Sequence, residues 1–361
     1  MEKGQSGPQP ISTGASVGGS TMSRKESLTK YPWYAWLLLA TGLLAVSTAG
    51  ATFRTIEGVG PLLKASWRLQ ATTLVFIPGF LYQWYNADEQ TKLHWKSDES
   101  RSALALSGVF LCLHFAAWVW SLDHTSLTHS LLFVTAHPFV VVAWMALNKE
   151  HLQRLVLIGA GLGFIGAVIA LQDTQGEGEV TLIGDLAAFA GAVFVVGYMV
   201  ISRKLRTQGM PIFLYSLPVT AVGALLLTIL AVLYEGALPF STLDGIGAFG
   251  WFGVSLLAVI FLALVPGLMG HNSINASLRW LPTILISVTL LMEPFLGGLI
   301  GWFVGVEQMP DMWTWIGGPI MILGTALVSI SVGQQNNESV DTEVNPLTEI
   351  FDGEESGEEN E

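Results

Sequence analysis

The stretch Thr135-Ala136-His137-Pro138-Phe139-Val140-Val141-Val142 lies inside a long apolar run, and Leu291-Met292-Glu293-Pro294-Phe295-Leu296-Gly297-Gly298 lies inside another. In each, an ionisable residue is followed by proline in the middle of a hydrophobic segment. The two prolines are 156 residues apart, and so are Ser121-Leu122 and Ser277-Leu278, which precede them by the same interval. The correspondence continues with Glu150 and Glu307 at 157, and with Gly159 and Gly166 against Gly317 and Gly324 at 158, each glycine pair spaced by seven. The chain reads as one unit used twice.

The unit is a membrane unit. Of 361 residues 51% are hydrophobic and only 12% charged, with a mean hydropathy of +0.54, which places the chain among polytopic membrane proteins and outside the range of soluble domains. A spanning helix needs roughly 20 mostly apolar residues. Ten segments meet that expectation: 33–53, 62–83, 103–122, 126–148, 154–172, 182–202, 211–234, 249–271, 282–304 and 312–332. The expected fold is therefore all-α, with ten transmembrane helices in two five-helix repeats, 33–172 and 182–332. A Gly/Ser/Thr-rich tail of 1–32 precedes them and an acidic tail of 333–361 follows, both expected to be disordered. No apolar h-region follows a short basic start, so the first span is expected to act as an uncleaved anchor.

Charge gives the orientation. Residues 334–361 hold ten acidic residues and no Lys or Arg, out of a net charge of −12. With the N-terminus placed in the cytosol, 13 of the 16 basic residues fall on the cytosolic side and only Arg54, Lys64 and Arg68 on the other. Both termini are predicted to be cytosolic. The identity of the membrane is not encoded in these features. Nucleic acid is not an expected partner of so acidic a chain.

Because five is odd, the second repeat must enter the bilayer upside down relative to the first. Inverted repeats of this kind place a substrate site near the midplane, between the repeats. His137 and Glu293 are the middle residues of the fourth and ninth predicted spans, at the same depth. Pro138 and Pro294 each remove an N–H and clash with the preceding turn, so each helix is expected to kink and free carbonyl groups at its centre. Such groups are tolerated in a membrane only where protein or a water-filled cavity satisfies them. His137 and Glu293 are thus candidates to face a central polar cavity. The alternative is structural: a Glu-Pro joint held by neighbouring hydroxyls, and a histidine satisfied by packing.

With these residues in place the sequence resembles the drug/metabolite transporter superfamily, and within it the EamA-type ten-helix permeases. Each repeat of that family carries a helix with a central Pro, a Glu about a turn past it, and a Gly-x6-Gly helix. Here these are Pro138, Glu150, Gly159 and Gly166, then Pro294, Glu307, Gly317 and Gly324. Ile183-Gly184-Asp185-Leu186-Ala187-Ala188, running on to Ser202-Arg203-Lys204-Leu205, is similar to the family's sixth helix and its basic exit. Trp67-Arg68 is similar to the arginine that opens the second helix. The Glu293-Pro294 pair is common in the second repeat, whereas His137 before the first proline departs from the pattern. The resemblance covers roughly residues 33–332, implies a transporter, and carries no substrate identity.

Further candidates come from spacing. His114 and Trp118 are four apart on one face of the third helix, as are His271 and Asn275 on the eighth, and the repeat places both pairs at similar depths. They are candidates to line a site of mixed aromatic and hydrogen-bonding character, with packing and interhelical bonding as the alternatives. Arg68 is expected near one membrane face, where it could snorkel, gate, or neutralise an anionic substrate. Asp185 suits a helix N-terminus. Gly297, Gly301 and Gly305 read as a smooth packing face. Cys112 reads as a small apolar residue.

Two rival classes fare poorly. His124-Thr-Ser-Leu-Thr-His129 has the spacing of one histidine box of membrane di-iron enzymes, but seven His without a His-His pair leave that ligand set incomplete. No phosphate loop, G-x-S-x-G elbow or paired-Cys motif is present. A channel would more often be built around an oligomeric axis. The expected function is a secondary transporter of a small polar metabolite working by alternating access, with proton coupling through Glu293 as a further expectation. The alternative is a nucleotide-sugar or sugar-phosphate exchanger of an internal membrane. A small-molecule substrate and the lipid bilayer are the expected partners, a homodimer is left open, and no cofactor or metal is expected.

Overall fold

Long apolar runs without interior charge can bury their backbone polar groups in lipid only as helices, and helices are what the chain forms. The structure is a computed structural model that describes residues 31–125, 127–150, 152–170, 172, 181–236, 247–252, 255–304, 312–313 and 315–332. The expectations for both tails, for Glu307 and for Gly305 lie outside the described residues, apart from Tyr31 and Pro32. In chain order the helices are α1 (Trp33–Val46), α2 (Ala49–Arg54), α3 (Pro61–Asn86), α4 (Glu89–Lys96), α5 (Asp98–Leu122), α6 (Leu127–Val134), α7 (His137–Leu147) and α8 (Arg154–Ala170). The second half continues with α9 (Leu182–Thr207), α10 (Ile212–Tyr234), α11 (Leu256–Leu262), a π-helical segment (Ala263–His271), α12 (Asn272–Ser277), α13 (Thr283–Leu290), α14 (Glu293–Val304) and α15 (Trp315–Val332).

Seven of these, some as joined pieces, are long and apolar enough to cross a membrane: Trp33–Phe53, Asp98–Leu122, Leu182–Thr207, Ile212–Tyr234, Leu256–Ser277, Thr283–Ile300 and Trp315–Val332. The other three of the ten predicted spans do not meet that criterion, each for a physical reason. Helix α3 is long enough at 26 residues but carries Lys64, Arg68, Gln70, Thr72 and Thr73. The fourth is described as two shorter helices, α6 and α7, of 8 and 11 residues. Helix α8 has 17 residues, about 25 Å of helix at the standard rise.

The polarity of the bundle is inside out. Leu225, Leu233, Leu257 and Phe303 are exposed, while Ser66, Arg68, Ser107, Ser202 and Asn275 are buried. Lipid solvates the outside, so association rests on close packing and interhelical hydrogen bonds. Small residues supply the packing. A methyl group placed on Gly159 of α8 would sit 2.7 Å from the carbonyl oxygen of Gly324 on α15, and one on Gly166 would sit 2.8 Å from that of Gly317.

This cross-pairing identifies the symmetry. By the repeat Gly159 corresponds to Gly317 and Gly166 to Gly324, so each glycine meets the counterpart of its own partner, which is the signature of a two-fold contact. The helices run antiparallel, so the axis lies across them, in the membrane plane: an inverted repeat. A second pair of crossings obeys the same relation. Gly42 of α1 packs on Gly270 and Ile274, and Gly191 of α9 packs on His114 and Trp118, the residues 156 positions earlier.

The two opening motifs are breaks rather than kinks. Turns at 135–136 and 291–292 interrupt the fourth and ninth segments, and a new helix starts on His137 and on Glu293. Each proline then occupies the second helical position, where its missing N–H is no loss. The expectation of a bent continuous helix is corrected accordingly, and each ionisable residue stands at the first position of a new helix.

Helix α3 has an unusual cap. Its own N-cap, Gly60, offers no side chain, and the Glu235 carboxylate at the end of α10 accepts hydrogen bonds from the Leu62 and Leu63 N–H groups at 2.7 and 3.0 Å. A carboxylate suits the positive end of a helix. Glu235→Ala is expected to destabilise the protein by about 1–2 kcal/mol, the usual range for a lost cap, and Glu235→Gln by less; thermal unfolding in detergent measures both.

Candidate functional site

Polar side chains at four-residue spacing on apolar helices all turn inward, and they meet in the middle of the bundle. A small pocket there is lined by Arg68, Leu69, Thr72 and Phe76 of α3, Leu111 and Phe115 of α5, Tyr198 of α9, Ser216 and Thr220 of α10, and Gly267, His271, Asn272 and Asn275 of the π segment and α12. Both repeats contribute. The π segment contains Pro266 and widens the helix where it meets α3: a methyl on Gly267 would stand 2.7 Å from Thr72 Oγ1.

Arg68 dominates the electrostatics. Sequence reasoning set it near a membrane face, but it lies two turns inside α3, its side chain is 1% exposed, and it does not snorkel. The guanidinium carbon stands 4.7 Å from the Phe115 ring centre and 5.6 Å from that of Phe53. Its Nε and Nη1 have no hydrogen-bond partner among the described residues. The Glu293 carboxyl is within electrostatic reach but forms no ion pair with it.

Asn275 organises the opposite wall. Its Oδ1 accepts from Ser202 Oγ at 2.8 Å and its Nδ2 donates to the Tyr198 hydroxyl. Beside it, Asn272 Oδ1 accepts from Ser216 Oγ at 2.6 Å, and the Tyr215 hydroxyl bonds Ser107 Oγ at 2.7 Å. This network joins α5, α9, α10 and α12, and buried hydrogen bonds of this kind rigidify the wall they form.

Of the predicted residues, Arg68, His271 and Asn275 therefore line the pocket. His114 and Trp118 adjoin it: their rings stack at 6.0 Å, His114 lies 6.5 Å from His271, and His114 Nδ1 bonds the Gly191 carbonyl at 2.9 Å. The Trp118 indole N–H is buried without a partner among the described residues. His137 Nδ1 bonds Ser287 Oγ at 2.7 Å, joining α7 to α13, and does not line the pocket. Glu293 is half-buried outside the pocket lining, with no hydrogen bond among the described residues.

Tyr198, Tyr215, Ser216, Thr220 and Asn272 were missed. Tyr198 with Ser202, and Ser216 with Thr220, are four-spaced polar pairs in apolar helices, the signal that picked out His114 with Trp118.

Other expectations have clear locations. Asp185 lies in the first turn of α9, where it accepts from Thr125 Oγ1 at 2.7 Å. Cys112 is buried and unpaired. Glu150 is exposed after α7. Gly297 packs against the Ser47 carbonyl. The basic exit of α9 is structural: Arg203 donates to the Leu278 carbonyl at 3.2 Å and to that of Leu281, and Lys204 pairs with Glu99 at 2.9 Å. Among the described residues no group of three His, Cys, Asp or Glu is placed to hold a metal ion.

An all-helical bundle with a polar centre lined from both halves of the chain invites comparison with known transporters. The EamA-like transporter family matches twice, over residues 31–172 and 182–330. The chain belongs to the EamA-like transporter family. It is accordingly a multi-pass integral membrane protein built of two EamA repeats, and this family comprises transporters rather than enzymes. The fold is similar to that of a solved structure described as "Crystal structure of protein", with a TM-score of 0.66 and 20% identity over 84% of this chain and 99% of that one. At that identity the likeness concerns the fold alone. No curated protein matches the sequence.

Proposed function

We propose that this EamA protein is a ten-span secondary transporter that moves a small polar metabolite by alternating access between its two five-helix halves, with both termini in the cytosol. Helices α3, α6 with α7, and α8 complete the ten spans in this reading. The observation that carries it is the buried pocket lined from both repeats by Arg68, His271 and Asn275. A pocket lined by residues of both repeats can open to either side when the halves rock. The Gly159–Gly324 and Gly166–Gly317 crossing offers a smooth surface for that motion.

Counterflow into proteoliposomes tests the reading. A preloaded substrate should drive saturable uptake of its labelled copy, and uptake that never saturates would indicate a pore. Proton coupling rests on Glu293, a half-buried carboxyl within electrostatic reach of the buried Arg68. Glu293→Gln is expected to abolish uptake driven by a pH gradient while leaving counterflow intact. Full pH-driven uptake in that variant removes Glu293 from the coupling path.

A further inference from the structure

We infer that the pocket takes a small organic monocarboxylate, with the carboxylate on the Arg68 guanidinium and the carbon skeleton against Phe115. The inference rests on the proposed reading of this pocket as the transport site and adds the chemical class of the cargo.

The charge is the first observation. A buried cation without a partner is strongly unfavourable, and proteins pair such groups or leave them for a ligand. Arg68 is fully buried, Phe115 and Phe53 stack near it, and its Nε and Nη1 donors are unused among the described residues. Aromatic contacts stabilise the guanidinium but leave its in-plane N–H groups unsatisfied. An oxyanion entering the pocket satisfies them by charge-assisted hydrogen bonds.

The charge count is the second. Arg68 is the one Lys or Arg among the lining residues. A phosphate monoester would bring a second negative charge with no cation to meet it. An amino acid would bring an ammonium group, and no acidic residue lines the pocket. A single carboxylate matches the single cation.

The walls complete the fit. Leu69, Phe76, Leu111 and Phe115 make one side apolar. On the other stands the Asn272 amide, whose Oδ1 is taken by Ser216 and whose Nδ2 donors are uncommitted among the described residues. A hydroxyl or keto oxygen beside the carboxylate would accept from it. Short 2-hydroxy and 2-oxo acids have this shape.

The test uses the purified full-length protein and matched pairs of C2 to C8 monocarboxylates and their amides, including lactate with lactamide and pyruvate with pyruvamide, alongside alanine and glycerol 3-phosphate. At least one carboxylate should raise the melting temperature by mass action while its amide does not, and alanine and glycerol 3-phosphate should bind about tenfold or more weakly. Arg68→Gln should weaken the binding carboxylate by about 10- to 100-fold, as expected for losing a charged hydrogen-bond partner, and Arg68→Lys should retain part of the affinity. No shift from any carboxylate, equal shifts from acid and amide, or unchanged affinity in a folded Arg68→Gln variant would each overturn the assignment. The comparison of acid with amide needs no variant and so stands even if Arg68→Gln does not fold. Counterflow separates the two readings: a carboxylate that binds without counterflow refutes the transport reading and leaves the anion site, whereas counterflow of neutral compounds alone does the reverse.

Discussion

Gly324→Val is expected to lower the stability of the folded bundle by about 3 kcal/mol, at the upper end for an overpacked interior, and to reduce the yield of monodisperse protein sharply. The Cβ alone would stand 2.5 Å from Gly163 N and 2.6 Å from the Gly159 carbonyl oxygen. These are backbone atoms, so no side chain can rotate away and helices α8 and α15 must separate. Separation forfeits the dispersion contacts and the close approach on which helix association in lipid depends. Gly159→Val, its partner across the crossing, should behave alike. Gly161→Ala provides the control, because a methyl there meets nothing within 4 Å. Thermal unfolding in detergent, followed by size exclusion, reads the difference. A Gly324→Val protein as stable as wild type would mean that the two helices do not cross at these glycines.

Asn275→Asp is expected to give a stable protein that no longer binds or moves an anionic cargo. The substitution is nearly isosteric, and the hydrogen-bond network survives it with one reversal. Ser202 continues to donate to Oδ1, and the Tyr198 hydroxyl, which accepts from Nδ2 in wild type, donates to the new carboxylate. The change is electrostatic. The introduced carboxylate would supply Arg68 with a counter-charge inside the same pocket, and a second anion would then compete with it. Affinity for a carboxylate should fall by about tenfold or more, with the melting temperature held within a few degrees. Asn275→Ala should instead lower both, since it removes the partner of two buried hydroxyls. If Asn275→Asp binds and transports as wild type does, Asn275 and Arg68 do not share a site.

Much of the architecture was legible because its cause is local. Apolar runs report helices in lipid directly, and the 156-residue recurrence of proline-centred segments reports a duplicated unit without any coordinates. The glycine spacing of seven was legible as a packing surface for the same reason: close approach requires the absence of a side chain. Where the reading departed from the structure, the competing effect was also local. Proline at 138 and 294 was expected to bend a helix, and the chain instead restarts the helix one residue earlier, which places the missing N–H where it is not needed.

The site was only partly legible. His271 and Asn275 were recognisable as a four-spaced pair, and they line the pocket. Arg68 was recognised as a candidate but placed near the surface, because its sequence position two turns into a helix says nothing of which neighbours cover it. Phe115 and Phe53, far apart in the chain, bury it. His137 and Glu293 were expected to share a depth and a cavity, yet neither lines the pocket, and His137 is tied to Ser287. Tyr198, Tyr215 and Asn272 escaped notice because a lone tyrosine or asparagine in an apolar helix is as readily an interhelical bond as a ligand contact.

By itself the sequence determined the membrane environment, the helical class and the duplication, since each follows from hydropathy and spacing. The tertiary structure alone decided which polar groups converge, that glycines cross-pair about a pseudo-two-fold axis, and that one arginine is sealed among aromatic rings with its donors unspent. Hydropathy and periodicity are properties of neighbouring residues and can be read along the chain. Convergence and desolvation depend on residues of different helices, and only the packing of those helices in three dimensions sets them.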